Sequence, residues 1–230
     1  AVLAVPVAVP LAQISFPHHL PQVVRLLLDG SLTIDAPCVR IIVTASDLDG
    51  LEIAVVKTVR GADDTALRQG VDLTELFIGG DQKNRVLKTV MVDPTAVKNW
   101  SSTVDYEVRI PRNARTSIYS QLSELIRVSG VNGDLVVRNV GGRVEVINVT
   151  GTMNVHSIKG IVFASYADSP RNNAKFFSIN GLIELHVPPR SAFDWVAETL
   201  QGDILSTMPM RVNPVAQKGG TIMRARVSEI

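Results

Sequence analysis

Cysteine occurs once in these 230 residues, at Cys38. A single thiol excludes an intrachain disulfide and any multi-cysteine metal site, and its apolar surroundings beside Val39 read as those of a buried small hydrophobe rather than a nucleophile. Aromatic residues make up only 5% of the chain, too few for the stacking platforms that hold single-stranded nucleic acid. Neither sign of charge is in excess: the formal net charge is +1, which lacks the basic field behind nonspecific nucleic-acid binding. No nucleic-acid partner is expected. Long hydrophobic runs are missing too. The strongest, AVLAVPVAVPLA from Ala1 to Ala12, is too short for a membrane span and carries two prolines. It reads either as the tail of a secretory signal peptide, with Pro10-Leu11-Ala12 resembling a cleavage site, or as an extended arm whose Val5, Val7 and Val9 pack on one side.

Catalytic motifs are equally scarce. The glycines are not followed by lysine and serine or threonine in phosphate-loop spacing, no HExxH occurs, and no serine sits in a nucleophile elbow. The expectation is a protein without catalytic residues and without a cofactor.

What the chain does have is a glycine repeat at the centre of an apolar sequence. Gly133, Gly142, Gly151 and Gly160 return every nine residues. In blocks of nine beginning at Leu122, Val131, Val140, Val149 and Ile158, the third position is Glu124 once and then glycine four times. The fifth position reads Ile126, Leu135, Val144, Met153, Val162, and the seventh Val128, Val137, Val146, Val155, Ala164. Two apolar side chains two residues apart point the same way, so each block is a short strand followed by a turn. The register extends outward to Leu28-Gly30-Leu32-Ile34, to Ile179-Gly181-Ile183-Leu185 and to Leu200-Gly202-Ile204. Gly30, Gly133, Gly142, Gly151, Gly160, Gly181 and Gly202 are therefore read as structural repeat glycines, suited to corners that need positive φ or close backbone approach.

Two all-β folds could use this pattern. Asn132-Gly133 and Gly141-Gly142 are good hairpin turns for an antiparallel meander, which would leave Val140 on the solvent side and turn Asn139 inward. A flattened parallel β-solenoid, or β-helix, instead stacks strands at i and i+18 and tucks every first-position residue inside a corner. The solenoid is the preferred expectation, with positions one, five and seven buried and six and eight exposed.

Three segments follow: residues 1–20 as arm or signal remnant, 21–102 as a more irregular β-rich portion, and 103–230 as the repeat portion continuous with it. Within the second, strands are predicted at Val23 to Leu28, Leu32 to Ile34, Val39 to Thr44 and Leu51 to Val59. A short helix is predicted over Ala62 to Gln69, N-capped by Asp63 or Asp64 and ended by Gly70. Val71 to Ile78 and Arg85 to Val92 read as a hairpin around Gly79-Gly80-Asp81, and Val104 to Ile110 alternates as a strand ended by Pro111.

The stretches VDYEVRIPRNA (Val104 to Ala114), SGVNGDLVVRNVGGRVEVINVTG (Ser129 to Gly151) and SINGLIELHVPPRSAFDWVAETLQGDI (Ser178 to Ile204) resemble the bacterial putative-adhesin family, a domain of unknown function with a β-solenoid body. The strand-ending phrase of that family occurs here as Ile110-Pro111 and again as Val187-Pro188. Glu124 replaces an expected glycine, and Ala167 to Lys175 is inserted. The resemblance implies an extracytoplasmic location, secreted, periplasmic or on the cell surface of a bacterium, and a role in adhesion or surface sensing with a protein or glycan partner. The alternative is a polysaccharide-active enzyme on the same scaffold, which would need clustered carboxylates on one face.

For metals, the fourth position runs Leu125, Asp134, Arg143, Thr152, Ile161 and lacks the recurring aspartate of calcium-binding repeats. His156 and His186 both occupy eighth positions and would form a two-imidazole site if their strands were neighbours. His18 and His19 beside prolines offer less. Asn99-Trp100-Ser101 and Asn148-Val149-Thr150 match glycosylation sequons, expected to be accidental in a bacterial protein. The unpaired edge of a terminal repeat needs a cover, expected from the inserted segment, from the N-terminal arm, or from a homodimer through the C-terminal part.

Overall fold

A computed structural model describes residues 12–37, 39–91, 99–121, 123–199, 203–207, 211–217 and 220–227. Cys38, Leu122, Gly202 and most of the N-terminal apolar run lie outside them, as do the side chains of His18 and His19.

Alternating apolar residues make short strands at the centre of the chain: β9 (Leu125–Ser129), β10 (Leu135–Asn139), β11 (Arg143–Ile147) and the longer β12 (Met153–Ser165). The fifth- and seventh-position side chains of all five blocks are at most 3% exposed. Each of the larger ones contributes about 1.5–3 kcal/mol by leaving water, and Ala164 less. The strands pair in parallel at a separation of two blocks: Leu125 lies beside Arg143, Arg143 beside Ile161, and Leu135 beside Met153. The blocks are thus not joined as hairpins. The first half of β12 pairs with β10 and its second half with β11, so the sheet turns back on itself at Gly160, whose φ is +117°.

Glycine at the third position is required by contact. A Cβ on Gly151 would lie 2.1 Å from the Gly133 carbonyl oxygen, and one on Gly160 would lie 1.9 Å from that of Gly142. Gly30 and Gly181 are similarly crowded, against Leu26 and Gly160 respectively.

Outside the repeat the pairing changes character. The remaining strands of the first half are β1 (Ala12–Val24), β2 (Ser31–Asp35), β3 (Arg40–Ser46), β4 (Leu51–Gly61), β5 (Thr74–Gly80), β6 (Asn84–Met91), β7 (Trp100–Pro111) and β8 (Arg115–Ser120). They join the central strands in one sheet of order β1-β4-β7-β3-β9-β11-β12-β10-β8-β2-β6-β5, with β13 (Ala174–His186) also on β12. At its ends β1, β4 and β7 pair antiparallel, as do β5 and β6. A second sheet, of β14 (Phe193–Thr199), β15 (Arg211–Gln217) and β16 (Gly220–Val227), is antiparallel throughout. The expected flattened parallel β-solenoid is therefore corrected. The fold is all-β, but its main element is a single mixed sheet curled into a half-barrel. Long strands with hairpin-type partners, which the nine-residue period does not describe, make up the sheet ends.

The curl encloses one core. Leu32, Ile34, Ile41, Val43, Leu51, Tyr106, Ile110, Ile118 and the repeat residues are all nearly free of solvent. Helix α1 (Asp64–Asp72) packs beside β4. Asp63 caps it, accepting a hydrogen bond from the Ala66 amide at 2.8 Å. Gly70 does not end the helix but lies within it, where a Cβ would meet Val59 at 2.5 Å and Trp100 at 2.9 Å.

First-position residues divide by corner. Val131 and Val149 are buried, whereas Val140 and Ile158 are 40% and 38% exposed. At the second corner the preceding residues Asn139 and Ser157 turn inward instead and bond the corner backbone, Asn139 Nδ2 donating to the Gly141 carbonyl and Ser157 Oγ to that of Lys159. A side chain that satisfies the turn from inside forces the next one out.

Candidate functional site

On one half of the curled sheet, successive strands place outward residues side by side. Phe77 on β5 lies beside Lys88 on β6, then Asp35 on β2, Tyr119 on β8, Arg138 on β10, His156 on β12 and Phe177 on β13. Seven strands at about 4.8 Å make a row of roughly 29 Å. The row orders itself by stacking: the Arg138 guanidinium sits 5.8 Å from the Tyr119 ring centre, and the His156 and Phe177 rings stack at 4.3 Å with planes 16° apart. Phe77 and Phe177 remain 56% and 47% exposed. Beside the His156 end, Val140, Ile158 and Ile179 add apolar surface.

The other half presents a self-contained charge cluster. Glu145 accepts from Arg127 Nε and Arg143 Nε, both at 2.6 Å, with its side chain only 12% exposed. Burial pushes the Glu145 carboxyl up, but the two guanidinium hydrogen bonds outweigh it and hold the group below its ordinary value. Arg143 also covers Phe163 at 5.6 Å, Phe163 touches the His186 ring at 5.0 Å, and His186 Nε2 bonds Glu184 at 2.7 Å. Nearer β7, Arg40 bridges Asp105 and Glu107 at 3.7 and 3.6 Å. Burial raises the Asp105 carboxyl, with Arg40 opposing. Glu145, Asp105 and Glu107 are each engaged by a guanidinium.

His156 and His186 are not brought together. His156 lies beside Phe177 on one half, and His186 lies beside Ser165 on the other. Among the described residues no group of three or more His, Cys, Asp or Glu could hold a metal ion. The inserted segment forms a loop over one corner, tied by Asn172 Nδ2 to the Thr150 carbonyl at 2.7 Å. A cavity of about 340 Å³ lies under it, lined by Asn148, Met153, Tyr166, Asp168, Arg171 and their neighbours. Burial pushes the Tyr166 phenol up to about 12. No helix among the described residues is long and apolar enough to cross a membrane.

Sequence reasoning missed the row because its members are far apart in the chain. Arg138 and His156 are two blocks apart and could have been paired from the repeat, but Asp35 and Tyr119 meet only through the pairing of β2 with β8.

No family model and no curated protein matches this chain. Among solved structures, a putative cell adhesion protein from Clostridium sporogenes is similar at 11% identity over 78% of this chain and 100% of that one, with a TM-score of 0.47. A putative lipid binding protein from Parabacteroides distasonis is similar at 9% identity over 75% of this chain and 96% of that one, with a TM-score of 0.26. A putative adhesin from the same species is similar at 12% identity over 76% and 97%, with a TM-score of 0.25.

Proposed function

We propose that this chain is a noncatalytic, extracytoplasmic binding protein that engages a protein or glycan at a cell surface through the outward row from Phe77 to Phe177. The observation that supports this reading is the row itself. Rings and cations are held in order by in-register strands, on a face whose apolar members stay in contact with water. Exposed apolar surface of this kind, rimmed by charge, marks interaction sites. Preordered stacking also lowers the entropy that binding must overcome.

The test is binding to intact bacterial cells and to a glycan array, comparing wild type with the combined Tyr119→Ala, Arg138→Ala, His156→Ala variant. Loss of binding at an unchanged melting temperature is expected. Undiminished binding by the variant would remove the contact from this face. Release of reducing sugar ends from any bound polysaccharide would overturn the noncatalytic reading.

A further inference from the structure

The last strand of the main sheet has an open side. Among the described residues only β12 pairs with β13, leaving the other backbone edge free along a strand of 13 residues. Its apolar side chains are exposed in both directions: Phe177, Ile179 and Leu182 at 47%, 60% and 56% on the outside, and Ile183 and Leu185 at 37% and 44% on the side that continues the core. An edge this long and this apolar invites pairing with another strand.

The strand also carries a mark that selects its partner. In its first half the odd-numbered residues face out, because Phe177 lies beside the exposed His156 and Phe176 beside the buried Val155. In its second half the even-numbered residues face out, because Glu184 lies beside Phe163 and Ile183 beside the buried Val162. The phase changes at Asn180 and Gly181, which lie beside Lys159 and the corner glycine Gly160 respectively. A regular strand would match one half and oppose the other.

We infer that the edge of β13 is a docking site for β13 of a second copy of this chain, paired antiparallel about a two-fold axis through the bend at Asn180–Gly181. A two-fold copy carries the same phase change at the same place, so in this register every inward residue meets an inward one. Phe176 faces Leu185, Ser178 faces Ile183, Ile179 faces Leu182 and Lys175 faces His186. The two half-open cores close on each other, as an isologous contact requires. Glu184 of one copy then falls diagonal to Lys175 of the other, within reach of these long side chains. This contact shares one residue with the binding row, Phe177, which faces Glu184 of the second copy; the row from Phe77 to His156 lies on other strands.

Light scattering coupled to size exclusion tests it over a dilution series. The wild type is expected to run as a dimer that dissociates on dilution. Ile179→Lys with Leu182→Lys places like charges opposite each other twice, and the dimer is expected to be lost with melting of the monomer unchanged, since both positions are exposed. Ile179→Lys with Leu182→Glu places opposite charges in the same two pairs, and the dimer is expected to return. A wild type that stays monomeric at all concentrations overturns the proposal, as does a dimer indifferent to both double variants. A dimer lost equally in both refutes the register.

Discussion

Gly141 and Gly142 are adjacent and chemically identical, yet alanine at the two positions should act in opposite directions. At Gly142 φ is +85°, a left-handed conformation that disfavours an L side chain by about 1–2 kcal/mol. Its Cβ would also stand 2.1 Å from the Ser123 carbonyl oxygen and 2.7 Å from that of Glu124. Both atoms are backbone, so relief requires moving a strand entry, with overpacking costs of about 1–3 kcal/mol. The movement would loosen the Arg143 amide bond to the Glu124 carbonyl, now 2.8 Å, for a further loss of about 1 kcal/mol. Gly142→Ala should therefore cost about 3–6 kcal/mol. With a urea slope of about 2 kcal/mol/M, the midpoint falls by about 1.5–3 M. A Cβ on Gly141 meets nothing within 4 Å. Gly141→Ala should be neutral or raise stability by up to about 1 kcal/mol, because it restricts the unfolded chain. Urea unfolding followed by circular dichroism reads both. Midpoints for the two variants within about 0.3 M of each other would refute the stacked-carbonyl account of the repeat glycines.

Val144→Asp puts a charge where the side chain is 0% exposed and should lower stability by about 3 kcal/mol or more, while Val136→Asp on the outer face should change it little; equal melting temperatures would contradict the burial pattern. Glu145 titrates below its unfolded value when folded, so its contribution to stability is complete above that value and is lost as pH falls through the folded one; Glu145→Gln should flatten the acid limb of a stability profile, and an unchanged limb would count against the Arg127 and Arg143 bonds. The Tyr166 phenol, raised to about 12, supports the fold fully below the unfolded value near 10 and loses that support as pH climbs toward 12; Tyr166→Phe should remove this alkaline loss, measured by melting between the two limits. Chelator should leave the melting temperature unchanged, and a fall of several degrees would reveal a metal that the repeat sequence gives no reason to expect.

The amino-acid sequence alone settled what is local or periodic. Residues alternating in and out, such as Val144 and Val146, define a strand face without reference to any partner. Asp63 caps the helix through its own neighbours, and the hairpin of β5 and β6 follows from the Gly79-Gly80-Asp81 signal, although both glycines end β5 and the turn itself is held by Asp81, which accepts from the Lys83 and Asn84 amides. The nine-residue glycine spacing announces close stacking because a repeated backbone approach needs the same missing side chain each time. Tertiary structure decided the rest. Which strands lie side by side depends on pairings between distant segments, so the mixed half-barrel, with its antiparallel ends, could not follow from a period confined to the centre of the chain. The row from Phe77 to Phe177 exists only because those pairings bring seven separate outward residues into register. The exposure of Val140 and Ile158 was settled by Asn139 and Ser157, whose side chains bond the corner from within and leave the next residue no room inside.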